Sequence, residues 1–358
     1  MKKMVWIFTV LLLVAGIGYP SGTDKAAAAA SPEYTELATF VNGKLLISAS
    51  KSLLVGSTTY VPVKLLDQIP GFTVQSTAGS VTLKGAKGIT TLNTANSVFY
   101  KNSNYVAFKS LLKLGAIDGK YASSAESLFI WSTEEGRSKS SSTLYSISKL
   151  PENMAYGMGK KVYVNGYSGS HWITDVQYDG GSVIVFTLLA NDGSTWKLDY
   201  NTYDERIIFT DVHLQYMRQY FNGLTVWIRN SEIDNSPFKN MEKLTIKDLR
   251  ANLSTGELEV VMRRANGQEV PIAMNPSNEM IGDIAEMFFT ENPRNVTSIS
   301  DKMWSAIREE KVVVGMKFDE VYLAWGEPDS VNESLGYVVY GQTHVYFYNN
   351  KLQYWYDF

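Results

Sequence analysis

The sequence predicts a mostly β, multidomain α+β protein, and three observations lead to that class. A strand–helix–hairpin unit occurs twice near the N-terminus, at a period of about 45 residues. A longer pattern of short β-prone runs and tight turns recurs in the middle of the chain, with an offset constant at 74 residues from Val183 onward. The last 59 residues read as two short helices followed by three β-prone runs. These give a map of 1–30 as leader, 31–132 as the repeated N-terminal domain and 133–148 as linker, then 149–222 and 223–299 as two small β-barrels and 300–358 as an α/β module.

The chain opens with Lys2 and Lys3, an apolar run from Val5 to Gly18, then Pro20, Gly22 and the alanines Ala26 to Ala30. A basic start, an apolar stretch shorter than a membrane span and a small-residue end read as a secretory signal peptide. The expected location is outside the cell or on its wall, with no membrane-spanning segment after cleavage. The chain has no cysteine, so neither disulfides nor a lipidated cysteine is available, and stability must come from buried area. Removing the leader takes three Lys and one Asp and leaves 30 basic against 35 acidic residues. That balance argues against binding nucleic acid or an anionic surface by bulk charge.

In the first repeat, Thr59-Tyr60-Val61-Pro62-Val63-Lys64-Leu65-Leu66 is echoed by Asn104-Tyr105-Val106-Ala107-Phe108-Lys109-Ser110-Leu111. Each copy begins with β-branched and aromatic residues, continues into an amphipathic turn, and reaches a glycine, Gly71 or Gly115. Glycine suits a helix C-terminus because it takes positive φ without penalty. Each copy then runs into an apolar triplet, Val81-Thr82-Leu83 or Leu128-Phe129-Ile130. Together with the preceding Val41-Asn42-Gly43-Lys44, the pattern resembles the copper amine oxidase N-terminal-like domain over about residues 38–132. The resemblance implies a stalk-type scaffold of a secreted protein of Gram-positive bacteria, without the copper site. Ala107 stands where the family has proline, and the Trp-Asp that often follows the glycine is absent.

Residues 133–148 are polar and serine-rich and read as a linker. In the second repeat, Ile173 to Gln177 parallels Ile246 to Arg250, and Val183 to Phe186 parallels Glu257 to Val260. Asp192-Gly193 and Asn266-Gly267 are strong hairpin dipeptides at matching places. About five short strands per copy fit a small barrel, and the copies resemble bacterial SH3-like barrels. The second copy has a longer first loop containing Asp234-Asn235-Ser236-Pro237.

Near the C-terminus, Ser300 caps a helix carrying Met303, Trp304 and Ile307. A second helix places Phe318, Val321, Tyr322 and Trp325 on one face and stops at Gly326. Three β-prone runs follow, with Asn349-Asn350 as the last turn. This stretch resembles the helix–helix–three-strand module of small outer-membrane assembly lipoproteins of the SmpA/BamE type and of β-lactamase-inhibitor-like proteins. The resemblance implies protein binding without an active site.

No nucleophile-elbow, zincin, P-loop or dinucleotide-binding motif occurs. Ser48–Lys51 and Ser146–Lys149 match Ser-x-x-Lys but lack the companion Lys-Thr-Gly. Asp175 and Asp248 hold equivalent places in the repeat, as turn or cap residues would. The three histidines, His171, His213 and His344, are dispersed, so no metal or other cofactor is expected. The candidate ligand-binding residues are aromatic: Tyr163, Trp172, Tyr178, Trp196, Tyr200 and Tyr203. Arg250 or its neighbour, Val270, Met274 and Ser277 replace Tyr178, Trp196, Tyr200 and Tyr203 in the second copy. The functional expectation is a non-enzymatic envelope protein that binds wall glycan, peptide or a partner protein through aromatic β surface. The alternative is a secreted protein inhibitor or assembly factor acting through 300–358.

Overall fold

In the N-terminal domain the two copies of the first repeat lie side by side. A computed structural model describes residues 34–358 apart from 78, 202–207, 275–279 and 333; the expected leader lies outside the described residues. The strands are β1 (Tyr34–Val41), β2 (Lys44–Leu45), β3 (Ser52–Val55), β4 (Thr58–Pro62), β5 (Thr73–Thr77), β6 (Ser80–Gly85), β7 (Gly88–Thr91), β8 (Ser97–Tyr100) and β9 (Ser103–Ala107). After helix α1 (Phe108–Leu114) come β10 (Asp118–Ala122) and β11 (Ser127–Trp131). The main sheet runs β10-β11-β1-β3-β4-β9-β8, with β2 on β1 and a separate β5-β6-β7 sheet. Repeat strands β4 and β9 pair antiparallel, setting fully buried Val61 opposite Val106.

Each repeat strand turns directly into a helical segment, Val63–Gln68 or α1. Pro62 (φ −59°, ψ 132°) and Ala107 (φ −59°, ψ 128°) share one backbone geometry there, so alanine fills the proline position without changing the turn. The glycines differ. Gly71 takes φ +90° as expected. Gly115 has φ −104°, and its small size serves a close approach instead, since a Cβ there would run into the Phe72 ring.

The serine-rich segment is not a linker but helix α2 (Glu134–Ile147). Thr133 caps it by accepting from Gly136 N at 3.0 Å, and Glu134 and Glu135 complement the helix dipole. Ser140, Thr143, Ser146 and Ile147 are buried at helical spacing. Small hydroxyl residues let the helix seat closely between the N-terminal sheet and the next one. Asn42 Oδ1 accepts from Ser132 N at 2.8 Å and anchors its start.

The two central units share one topology. The first has α3 (Glu152–Ala155), β12 (Lys161–Val164), β13 (His171–Gln177), β14 (Val183–Ala190), β15 (Thr195–Asn201) and β16 (Ile208–Thr210). The second has α4 (Asp211–Phe221), β17 (Thr225–Ile228), β18 (Lys243–Ala251), β19 (Leu258–Arg263), β20 (Glu269–Met274), α5 (Met280–Glu286) and β21 (Phe288–Phe289). Their orders are β15-β14-β13-β12-β16 and β20-β19-β18-β17-β21. The expected hairpin glycines, Gly193 and Gly267, both have φ +87°.

Neither sheet closes into a barrel among the described residues. Each has a helix packed on it instead, α2 on the first and α4 on the second. Buried Leu214, Met217 and Phe221 of α4 stand 74 residues after buried Ser140, Thr143 and Ile147 of α2. The repeat therefore begins at its helix, and the boundary expected at 222 falls before α4, at about 210.

The C-terminal module contains α6 (Pro293–Thr297), α7 (Asp301–Arg308), α8 (Phe318–Trp325), β22 (Ser330–Asn332), β23 (Tyr337–Tyr340), β24 (Thr343–Tyr348) and β25 (Lys351–Asp357). Its sheet runs β22-β23-β24-β25, one short strand more than expected. Ser300 accepts from Met303 N at 3.3 Å, as a cap should. Asn349 and Asn350 both have positive φ, which suits a two-residue hairpin turn. Of the expected face of α8 only Val321 is buried, with Phe318, Tyr322 and Trp325 half-buried, while Glu320, Leu323 and Ala324 are buried beside it. The cause is the long loop of the second unit, which covers it from outside the module. Asn240, 2% exposed, donates to Ile307 O at 3.0 Å and Leu323 O at 2.7 Å. Arg229 donates to Tyr322 Oη at 2.8 Å. Among the described residues no helix is long and apolar enough to cross a membrane.

Candidate functional site

The five described aromatic candidates of the first central unit lie in different places. Tyr163 is buried in the second unit's core, stacked on Phe209 at 5.3 Å, with its hydroxyl donating to Asp211 at 2.8 Å. Burial, then the Asp211 hydrogen bond, pushes its phenol up to about 12. Tyr200 is buried in the first unit's core beside Phe186. Trp196 shares a cross-strand row with Leu188 and Ile173 and packs on that core, stacked on Tyr167 at 4.5 Å and edge-on to His171 at 5.2 Å. Trp172 pairs across the strand with Leu189 and so lies on the opposite face, with Lys51 Nζ 4.8 Å from its ring centroid. Tyr178 donates to Gly181 O at 3.0 Å in its own turn. Tyr203 lies outside the described residues.

The repeated aspartates stand at β-bulges, between Ile173 and Asp175 in β13 and between Ile246 and Asp248 in β18. Each carboxylate accepts from the next backbone N–H, Val176 or Leu249, at 2.9 Å. Each also ties its sheet to the unit's helix. Asp175 accepts from Thr143 Oγ1 at 2.6 Å, and Asp248 from Arg218 Nε at 2.8 Å. These contacts give the carboxylates a positioning task in both copies. The Ser146 hydroxyl accepts from Tyr178 N, while Lys149 sits over Tyr145.

The histidines are in separate places. His171 is buried against Trp196, and burial lowers its pKa. His213 completes the capping box of α4 with Thr210. His344 belongs to the C-terminal sheet. Among the described residues no group of three or more His, Cys, Asp and Glu side chains is placed to hold a metal ion.

The largest gathering of rings among the described residues is on that C-terminal sheet, where period-two alternation sorts the side chains. Val338, Val345 and Leu352 enter the module's core under α7 and α8. The opposite face carries Tyr337, His344, Tyr346, Tyr354 and Tyr356, with Phe358 beyond the strand end. Tyr346 stacks on Tyr354 at 4.8 Å and lies tilted against Tyr337 at 5.2 Å. Tyr346 and Tyr356 share a hydrogen bond between hydroxyls at 2.9 Å, which pushes the Tyr346 phenol up to about 12. Tyr354, Tyr356 and Phe358 remain 53%, 41% and 71% exposed. The face therefore offers ring edges, ring faces and phenol hydroxyls to solvent. Strand β25 also forms an edge of its sheet, with β24 as its only strand neighbour among the described residues.

The signal for this face is present in the sequence. Tyr354, Tyr356 and Phe358 alternate with other residues, so a strand puts all three on one side. No family model, curated protein or solved structure matches the chain.

Proposed function

We propose that this chain is a non-enzymatic binding protein of the cell envelope, and that its contact surface is the aromatic face of the C-terminal sheet. The carrying observation is the solvent-facing array of Tyr337, His344, Tyr346, Tyr354, Tyr356 and Phe358. Aromatic rings with polar tips suit sugar or peptide, because the ring covers C–H surface while the hydroxyl replaces lost water hydrogen bonds. Wall glycan with its peptide is the favoured ligand, since the leader read in residues 1–30 would deliver the protein outside the cell. The stalk-like reading of 38–132 and the SH3-like reading of the open central units fit a chain of modules that carries this face away from an anchor point. The test is co-sedimentation with protein-free cell-wall polymer, comparing the wild-type protein with Tyr354→Ser/Tyr356→Ser. Both rings are exposed, so the melting temperature should hold while retention falls about tenfold or more. Equal retention by the double variant would remove the face from the reading.

A second reading has its own observation. Leu352 of β25 already bonds the backbone of Gly315 and Met316, but the edge beyond it can accept an added strand from a protein, as an inhibitor or assembly factor of the SmpA/BamE type would use. Binding to a purified envelope protein, with wall polymer never retained, would favour it.

A further inference from the structure

A cavity of about 260 Å³ lies between the N-terminal sheet and the first central unit, remote in the sequence from the aromatic face. Its walls include Glu36 of β1, Lys51 just before β3, Lys161 of β12, Trp172 of β13, and Thr210 and Asp211 at the junction of β16 and α4. Most of the charges there are already matched. Lys101 bonds Glu36 at 2.7 Å, and Asp211 takes Tyr163 Oη at 2.8 Å and Lys161 Nζ at 3.7 Å.

Lys51 is the exception. Among the described residues it makes no ion pair, and its ammonium rests 4.8 Å from the Trp172 ring centroid. Burial lowers its pKa, with the field of Glu36 acting in the opposite direction. An ammonium partly withdrawn from water with no carboxylate at ion-pair distance is an unfavourable arrangement that an entering anion relieves. The indole supplies a flat apolar wall beside it, as sugar-binding and other small-molecule sites commonly have. The carboxylates of Glu36 and Asp211 only accept hydrogen bonds, and each already has a cation beside it. Their remaining lone pairs therefore suit hydroxyl donors better than a second cation. The volume fits one ring, below the usual ~300–1,000 Å³ of larger ligand pockets.

We propose that this cavity binds a small sugar acid, with its carboxylate on Lys51 Nζ, its ring beside Trp172 and its hydroxyls on Glu36 and Asp211. The site is independent of the aromatic face, and the two can fail separately. The experiment is calorimetric titration of the whole chain with glucuronate, glucose and acetate. Glucuronate should bind saturably, with glucose and acetate each about tenfold or more weaker, because each lacks one half of the recognised group. Lys51→Met keeps the aliphatic stem on the indole and removes the charge. It should cost glucuronate about tenfold or more and abolish its advantage over glucose. Lys51→Gln serves as the second variant if the first lowers the melting temperature. Absent glucuronate binding, acetate binding as tightly as glucuronate, or a folded Lys51 variant that binds like wild type would each overturn the proposal.

Discussion

Replacing Asn240 tests how the C-terminal module is held. Its amide donates to Ile307 O at 3.0 Å and Leu323 O at 2.7 Å, carbonyls in the last turns of α7 and α8. Its Oδ1 also accepts from Asn230 N at 3.2 Å. One side chain thus ties two helix ends to the second central unit at a position 2% exposed. Asn240→Ala removes three hydrogen bonds, each with a net value of about 1 kcal/mol; Ile307 O keeps its bond from Glu310 N at 3.0 Å, while Leu323 O loses this donor at about 1–3 kcal/mol if water stays out. Because neighbours relax, about 3–5 kcal/mol is the expected loss. Asn240→Asp keeps the shape but turns the donor into an acceptor, so it should cost at least as much. Urea unfolding followed by tryptophan fluorescence reads the effect, since Trp304 and Trp325 lie in α7 and α8. The C-terminal module should unfold first in both variants. A loss below about 0.5 kcal/mol in Asn240→Ala would refute the reasoning.

The bulge aspartates should behave alike: Asp175→Ala and Asp248→Ala should each cost about 1–3 kcal/mol in urea unfolding, with near-additive losses in the double variant because they serve separate cores. A neutral result at either position would separate that carboxylate from helix anchoring. Lys160 gives a pH signature, since burial lowers its pKa from 10.5 to about 8 despite its bond to Glu126. The unfolded chain then holds more protons than the folded one between about pH 8 and 10.5, so this group's contribution to stability rises with pH across that window. Lys160→Met should flatten the rise, and an unchanged slope would contradict the burial argument.

Much of the fold was legible because local chemistry and global position agree. The turn glycines Gly193 and Gly267, the Ser300 cap and the paired repeat strands all follow from short-range rules. Helix α2 was not legible by composition, because its buried face is made of Ser140, Thr143 and Ser146 and carries little hydrophobic signal. Only the offset to Leu214 and Met217 relates it to α4. Gly115 was placed correctly for a reason that only packing reveals, the Phe72 ring against it. Asn240 shows no motif, since its partners lie 67 and 83 residues away. The first central unit drew attention by tryptophan content, yet Tyr163 and Tyr200 fill cores. The C-terminal rings were visible as β-prone residues, and strand alternation separates their exposed face from the buried one.

The proposed surface is tested most directly by tyrosine nitration with and without protein-free wall polymer, mapped by mass spectrometry. Tyr354 and Tyr356 are exposed in the aromatic face, while Tyr216 and Tyr220, 49% and 47% exposed on α4, serve as internal controls. Wall polymer should protect Tyr354 and Tyr356 and leave Tyr216 and Tyr220 reactive. Equal modification of all four tyrosines in bound and free protein, or protection confined to α4, would contradict binding through the C-terminal sheet.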